Sequence, residues 1–232
     1  MDEAMDFHYL TLDNCDRATG CVVVIDVCRA FTTAAYAFAN GADRIILTRT
    51  VEEALALQAS IPESRTMGEV NGLPIPGFTY WNSPTQMLSA NLHGVTLIQR
   101  TTAGTQGMLL SEHADTRLAC SFTNAGATAK FIRNLGEDSV NFVQTGVRGW
   151  RGGEEDVACA RYIAALLKGL NPDPADYMDW VEGSFADLLT RDPELEEEIQ
   201  ADLACCLQTD RFDFAMLARF EDDFLVLRRQ PV

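Results

Sequence analysis

Along the chain, short runs of branched and aliphatic residues alternate with longer stretches whose apolar positions recur at helical spacing. CVVVID (21–26), RIILT (44–48), RTMGE (65–69), VTLIQR (95–100), RLACSF (117–122), VNFVQT (140–145) and DFLVLR (223–228) read as strands. Most are rich in β-branched residues, and all are too short for helices buried on every side. The intervening spacing predicts helices at 30–40, 51–60, 84–92, 105–114, 124–135 and 154–168. Asn40-Gly41 supplies a stop for the first helix, and Ser83-Pro84 an N-cap followed by proline in the first turn. Such alternation predicts a layered α/β protein, with the parallel or antiparallel sense of each strand left open. From about 171 to 220 the pattern turns to acidic helix, with Glu194 to Glu198 read as a solvated face. This acidic helical segment is expected to lie within a single domain spanning 1–232, with the run at 223–228 returning to the sheet.

Composition narrows the function classes. The net charge is −16, from 34 acidic and 18 basic residues. A general nucleic-acid or anionic-membrane binder needs a basic surface, so neither partner is expected. A small anionic ligand remains compatible, because a few arginines in a cleft reverse the local field. All the basic residues but Lys130 and Lys168 are arginines, whose planar fork suits phosphate and carboxylate oxygens. The seven cysteines are odd in number and include no C-x-x-C pair, which predicts reduced thiols and a cytoplasmic protein. The opening MDEAMDFHYL has neither the basic nor the apolar region of a signal peptide, and no apolar run approaches the ~20 residues of a membrane span.

Ligands of open α/β sheets gather at the carboxyl ends of strands. Four unusual segments fall there: Asp26-Val27-Cys28-Arg29, Gly68-Glu69-Val70-Asn71-Gly72, Arg100-Thr101-Thr102-Ala103-Gly104-Thr105, and the glycine- and arginine-rich 146–153 that opens onto Glu154-Glu155-Asp156. Asp26, Glu69, Glu155 and Asp156 are hard oxygen donors of the kind Mg²⁺ takes. Arg29, Arg100, Arg148 and Arg151 are suited to phosphoryl and other acidic oxygens. A metal and arginines around a phosphate form the electrostatic arrangement for phosphoryl transfer to water.

Competing motifs are missing or incomplete. Two residues after Asp26 stands Cys28, so there is no D-x-D pair, and there is no G-x-x-x-x-G-K-[ST] phosphate loop. Cys205 and Arg211 meet a bare C-x5-R count, but no glycine lies between them to turn a phosphate cradle. The three histidines, His8, His93 and His113, are scattered.

VVIDVCRAFTTAAYAFANGA, GEVNGLPIPGF, WNSP, TTAGT, SFTNAGA and GGEEDVACA occur in that order over roughly residues 20–165. In these motifs the chain resembles the ComB family of 2-phosphosulfolactate phosphatases. The resemblance implies an α/β fold, a layered α/β/α architecture with a mixed sheet, and a Mg²⁺-dependent phosphatase that releases phosphate from 2-phosphosulfolactate, a step toward coenzyme M. The family pattern carries arginine where Val70 stands and asparagine where Ala103 stands. The reading that follows has three parts. Asp26, Glu69 and Glu155 or Asp156 hold Mg²⁺ directly or through water; Arg29, Arg148 and the loop with Thr101, Thr102, Gly104 and Thr105 hold the phosphate; Arg100 or Arg151 reaches the sulfonate or carboxylate, with Asn71 a further substrate-binding candidate. Either water or Asp26 is the nucleophile. The expected partner is thus a small phosphorylated acid, with a homodimer the base-rate oligomer.

Overall fold

The most apolar helix of the chain has no solvent face. In a computed structural model describing residues 5–146, 152–191 and 195–232, every position from Ala30 to Phe38 is buried. This helix, α1 (Ala30–Ala39), follows directly on β2 (Gly20–Ile25), whose last five positions are also buried. Phe31 and Phe38 lie among its largest fully buried side chains, each contributing about 1.5–3 kcal/mol through burial. Small residues at Ala30, Ala34, Ala35 and Ala37 let the surroundings approach closely.

The surroundings are a mixed sheet that wraps around α1. In order of appearance its strands are β1 (Asp6–Leu10), β2, β3 (Arg44–Leu47), β4 (Arg65–Val70), β5 (Leu73–Pro74), β6 (Tyr80–Trp81), β7 (Thr96–Arg100), β8 (Ala114–Cys120), β9 (Ser139–Gln144), β10 (Phe214–Glu221) and β11 (Phe224–Pro231). Across the sheet the order is β1-β9-β2-β8-β10-β11-β3-β7-β4-β5, with β6 paired to β4. One half, β1-β9-β2-β8, is parallel throughout. In the other half β3, β7, β4 and β6 are parallel, with β5 antiparallel on β4. The antiparallel hairpin β10–β11 bridges the halves, pairing with β8 on one side and β3 on the other. The C-terminal strands therefore sit at the centre of the sheet.

Inside the curl, α1 packs with α3 (Pro84–Ser89) and α4 (Gly104–Leu110) against Val22, Val24, Leu47, Met67 and Met216. Outside, α5 (Ala125–Leu135), α6 (Glu154–Leu167), α7 (Ala175–Arg191) and α8 (Glu196–Cys206) cover the β2 half, and α2 (Val51–Ser60) covers the β3 half. The layered α/β class expected from the pattern and the mixed sheet implied by the resemblance are present. Four strands depart from that expectation, the short β5 and β6 lying in a stretch assigned no element. β10 falls inside the segment read as helix to residue 220, and β1 lies in a region assigned no element. β10 is buried from Phe214 to Ala218 and has no polar alternation to mark it, because both faces of a central strand are covered. Among the described residues no helix is long and apolar enough to cross a membrane.

Candidate active site

The curl of the sheet carries the end of β7 against the end of β2. A Cβ added at Gly104, the first residue of α4, would stand 2.7 Å from Asp26 Oδ2, so this position is restricted to glycine. Gln99 on β7 donates to the Ala30 carbonyl of α1 at 3.0 Å, closing the same junction from below. A cavity of about 450 Å³ opens above it, bounded by the ends of β2, β4, β7 and β9 and by the start of α6.

Asp26 lies on its wall, directly after β2. Its Oδ1 accepts from the Ala30 amide at 2.9 Å, so the carboxylate also holds the first turn of α1. Burial pushes its pKa up to about 6, with the neighbouring Glu69 charge adding to the rise and the bonds from Ala30 and Gly104 opposing it. Glu155, in the first turn of α6, faces the same cavity and accepts from the Ser184 hydroxyl of α7. Burial, aided by the Asp26 and Glu154 charges and opposed by the Ser184 bond, raises its pKa to about 7. Thr32 and Thr33 stay below the cavity, with hydroxyls donated to Val27 O at 2.8 Å and Arg29 O at 2.9 Å.

Glu69 and Asp156 are engaged differently. Glu69 Oε1 accepts from the Thr102 amide at 2.5 Å, and Oε2 from the Thr102 hydroxyl at 2.9 Å and the Gly72 amide at 2.6 Å. It lines the cavity, but its oxygens pin the β4 and β7 loops together. Asp156 is 1% exposed and is not on the cavity wall. Its oxygens accept from the Val27 amide at 2.9 Å, the Gly146 amide at 2.8 Å and the Thr145 hydroxyl at 3.4 Å. Its pKa is pushed well above the usual range by burial first and by Glu155 and Asp26 next.

The basic and hydroxyl positions divide in the same way. Arg29 lines the cavity, with Nη1 2.5 Å from Asp202 Oδ2 and its guanidinium 4.0 Å from the centroid of the Trp81 ring. Arg100 does not reach the wall; its Nη1 donates to Glu69 O at 2.9 Å. Asn71, at φ +53°, and Thr102 do line it, and the Asn71 amide donates to the Thr102 hydroxyl at 2.7 Å. Thr101 and Thr105 are fully buried and bond reciprocally, Thr105 N to Thr101 Oγ1 at 3.0 Å and Thr101 N to Thr105 Oγ1 at 2.8 Å. They fasten the loop from within, as Gly104 does by lying against Asp26, and none of the three reaches the wall. Arg148 and Arg151 fall outside the described residues.

Asn82, Ser184 and Cys28 are among the wall residues that had no role assigned from sequence. Asn82 is 4% exposed, and its Oδ1 is buried without a hydrogen-bond partner, a polar atom left for a bound molecule. Its position within WNSP was the one available signal. Ser184 carried none. Cys28 has its thiol pKa raised well above the ordinary value by burial and by Cys206, so it stays protonated and is no thiolate nucleophile. The Cys205–Arg211 spacing builds no site. Cys205 is buried on α8, and the Arg211 guanidinium lies 5.6 Å from the Tyr36 ring.

Among the described residues no three Asp, Glu, His or Cys side chains converge as a complete metal cage. Mg²⁺ does not need one. It is commonly held by one or two carboxylates, with water and substrate phosphate filling the remaining positions. Asp26 and Glu155, two hard oxygen donors that share a cavity and both have raised pKa values, fit that description.

Comparison with known proteins gives a consistent result. A family model described as 2-phosphosulpholactate phosphatase matches residues 9–219. A protein of Bacillus subtilis (strain 168) named "Probable 2-phosphosulfolactate phosphatase" is 35% identical over 215 residues, 89% of this chain and 90% of that protein. Proteins with the same name from Gloeobacter violaceus and Carboxydothermus hydrogenoformans are 32% identical over 179 residues and 38% over 146 residues. These matches span 74% and 63% of this chain, and 75% and 60% of the relatives.

Proposed function

The chain belongs to the 2-phosphosulpholactate phosphatase family, a family of phosphoric monoester hydrolases, and from that premise we propose that it converts 2-phosphosulfolactate to sulfolactate and phosphate with Mg²⁺. The observation that carries this reading is one cavity holding opposite charges on separate supports. Asp26 and Glu155 face it from β2 and α6, and Arg29 faces it from a mount made by Asp202 and Trp81. A doubly ionised phosphate ester bound through a cation requires both signs.

Asp26 and Glu155 are the residues to hold Mg²⁺. The ion, when bound, would draw charge from the phosphoryl oxygens and offset the negative charge of the transition state. Arg29 presents its guanidinium to an anionic group of the substrate as a charge-assisted donor. Asn82 offers its unpartnered Oδ1 as an acceptor for a substrate hydroxyl, and Thr102 and Asn71 close the loop side. The raised pKa of Glu155 leaves it close to half-protonated near neutral pH in the metal-free protein, so cation binding displaces a proton there. The coenzyme M type of pathway belongs to the same proposal.

A second reading keeps the chemistry and changes the substrate to another small phosphorylated hydroxy acid. It is favoured by Ala103, which lines the cavity where the family pattern has asparagine, and by Arg100, which turns to Glu69 O instead of the wall. Phosphate release from 2-phosphosulfolactate and from a panel of phosphorylated hydroxy acids, with Mg²⁺ and with EDTA, separates the two. Metal-dependent release that prefers phosphosulfolactate supports the first, and preference for another ester supports the second. No release from any ester by folded protein overturns both.

A further inference from the structure

Helix α8 exposes Glu196, Glu197 and Glu198 to solvent, yet it also buries an acid completely. Asp202 stands three residues after Ile199 and three before Cys205, on the apolar stripe of the helix, and is 0% exposed. It accepts three hydrogen bonds: from Arg29 Nη1 at 2.5 Å, from Ser83 Oγ at 2.7 Å and from the Thr85 amide at 3.1 Å. Ser83 and Thr85 flank the start of α3, immediately after Asn82 of the cavity wall. Among the described residues the guanidinium takes no second protein acceptor, and Trp81 covers one of its faces.

The same cavity holds Asp26 and Glu155, which are competing acceptors for a loose guanidinium. An arginine paired with either would neutralise a carboxylate meant for a cation and withdraw the cation meant for an anion. Asp202 removes that alternative by giving Arg29 a stronger, fully buried partner behind the wall. We propose that Asp202 is a positioning residue. It holds Arg29 pointed at the substrate's anionic group and away from Asp26 and Glu155, and through Ser83 and Thr85 it fixes the segment bearing Asn82. This rests on the reading of the cavity as the active site.

The test is a double-mutant cycle on the full chain: wild type, Asp202→Asn, Arg29→Gln and the double variant. Each is assayed for kcat and KM on 2-phosphosulfolactate with Mg²⁺, for binding of inorganic phosphate by calorimetry, and for thermal unfolding. Asp202→Asn is expected to lower kcat/KM by about 10- to 100-fold, with KM and the phosphate Kd rising together. In the Arg29→Gln background the same change is expected to cost less than about twofold. An equal loss in both backgrounds overturns the proposal, since Asp202 would then only fasten α8. If Asp202→Asn does not fold, Asp202→Glu keeps the charge but displaces it by one methylene, and the same cycle is read with it. Wild type that binds phosphate but hydrolyses no ester defeats the functional reading alone, and the phosphate cycle still decides the role of Asp202. Folded wild type that neither hydrolyses nor binds phosphate overturns both.

Discussion

All the buried carboxylates among the described residues surround one cavity, and they fall into two groups. Glu69, Asp156 and Asp202 each accept three hydrogen bonds from protein donors. Asp26 and Glu155 face the cavity, and no cationic side chain among the described residues pairs with either. An acid whose oxygens are filled by amides and hydroxyls braces the loops around it. Asp26 and Glu155 are the two that the proposed function assigns to a cation. Residue type is the same in both groups, and the tertiary setting of each carboxylate separates them.

The sharpest way to break this comparison is at Asp26. Asp26→Asn is expected to lower phosphate release on the order of 10³-fold while leaving the metal-free melting temperature unchanged or higher. Full activity in that variant would remove Asp26 from the chemistry, as ligand and as nucleophile alike. Asp156→Ala should show the opposite profile of a brace. It strips the acceptor from the Val27 and Gly146 amides, and denaturant unfolding should report a loss of about 2–3 kcal/mol. Glu155→Gln, measured alongside, should stay within about 0.5 kcal/mol of wild type in the absence of metal.

A smaller effect follows from pH. Burial raises Asp26 to about 6 and Glu155 to about 7, so the folded protein keeps these protons to higher pH than the unfolded chain does. Their contribution to stability is complete below the ordinary carboxylate range and is lost as pH rises through about 6 to 7. The metal-free melting temperature should therefore fall between about pH 5 and pH 8, and Mg²⁺ should flatten the slope while releasing protons. A slope unaffected by Mg²⁺ would separate these acids from the cation. The smallest change is expected at the surface, where Arg228 donates to Glu221 from Nε at 2.7 Å and from Nη2 at 3.0 Å. Glu221→Gln should cost less than about 1 kcal/mol by thermal unfolding, because both partners are solvated. A larger loss would put the exposed pair on the same footing as Arg29–Asp202.

Much of the fold was legible as sequence. Short runs of branched and aliphatic residues marked β2, β3, β4, β7, β8, β9 and β11, and α2 occupies the stretch its spacing indicated. β5 and β6, two residues each, are too short to carry a pattern, and the two longer strands that escaped did so for opposite reasons. β1 is an edge strand with mostly exposed positions, and DFHYL carries too little apolar signal. β10, FAMLARFE, is so central that it shows no alternation, and its Ala, Met and Leu are equally good helix formers. At the site, the strand-end segments bearing Asp26, Arg29, Asn71, Thr102 and Glu155 were visible because polar residues after an apolar run are conspicuous. Asp202 had one legible mark, an acid on an apolar helical stripe, which the surrounding acidic run concealed.

By itself the sequence determined where strands end and which side chains with chemical capacity lie there, since both follow from local pattern. Only the tertiary structure decided which of those side chains are free to act. The donors that fill a carboxylate come from distant chain: the Val27 amide reaches Asp156 across 129 positions and Arg29 reaches Asp202 across 173. Such pairings arise when the sheet curls around α1 and the C-terminal hairpin joins its halves, and they leave no local trace in the order of residues.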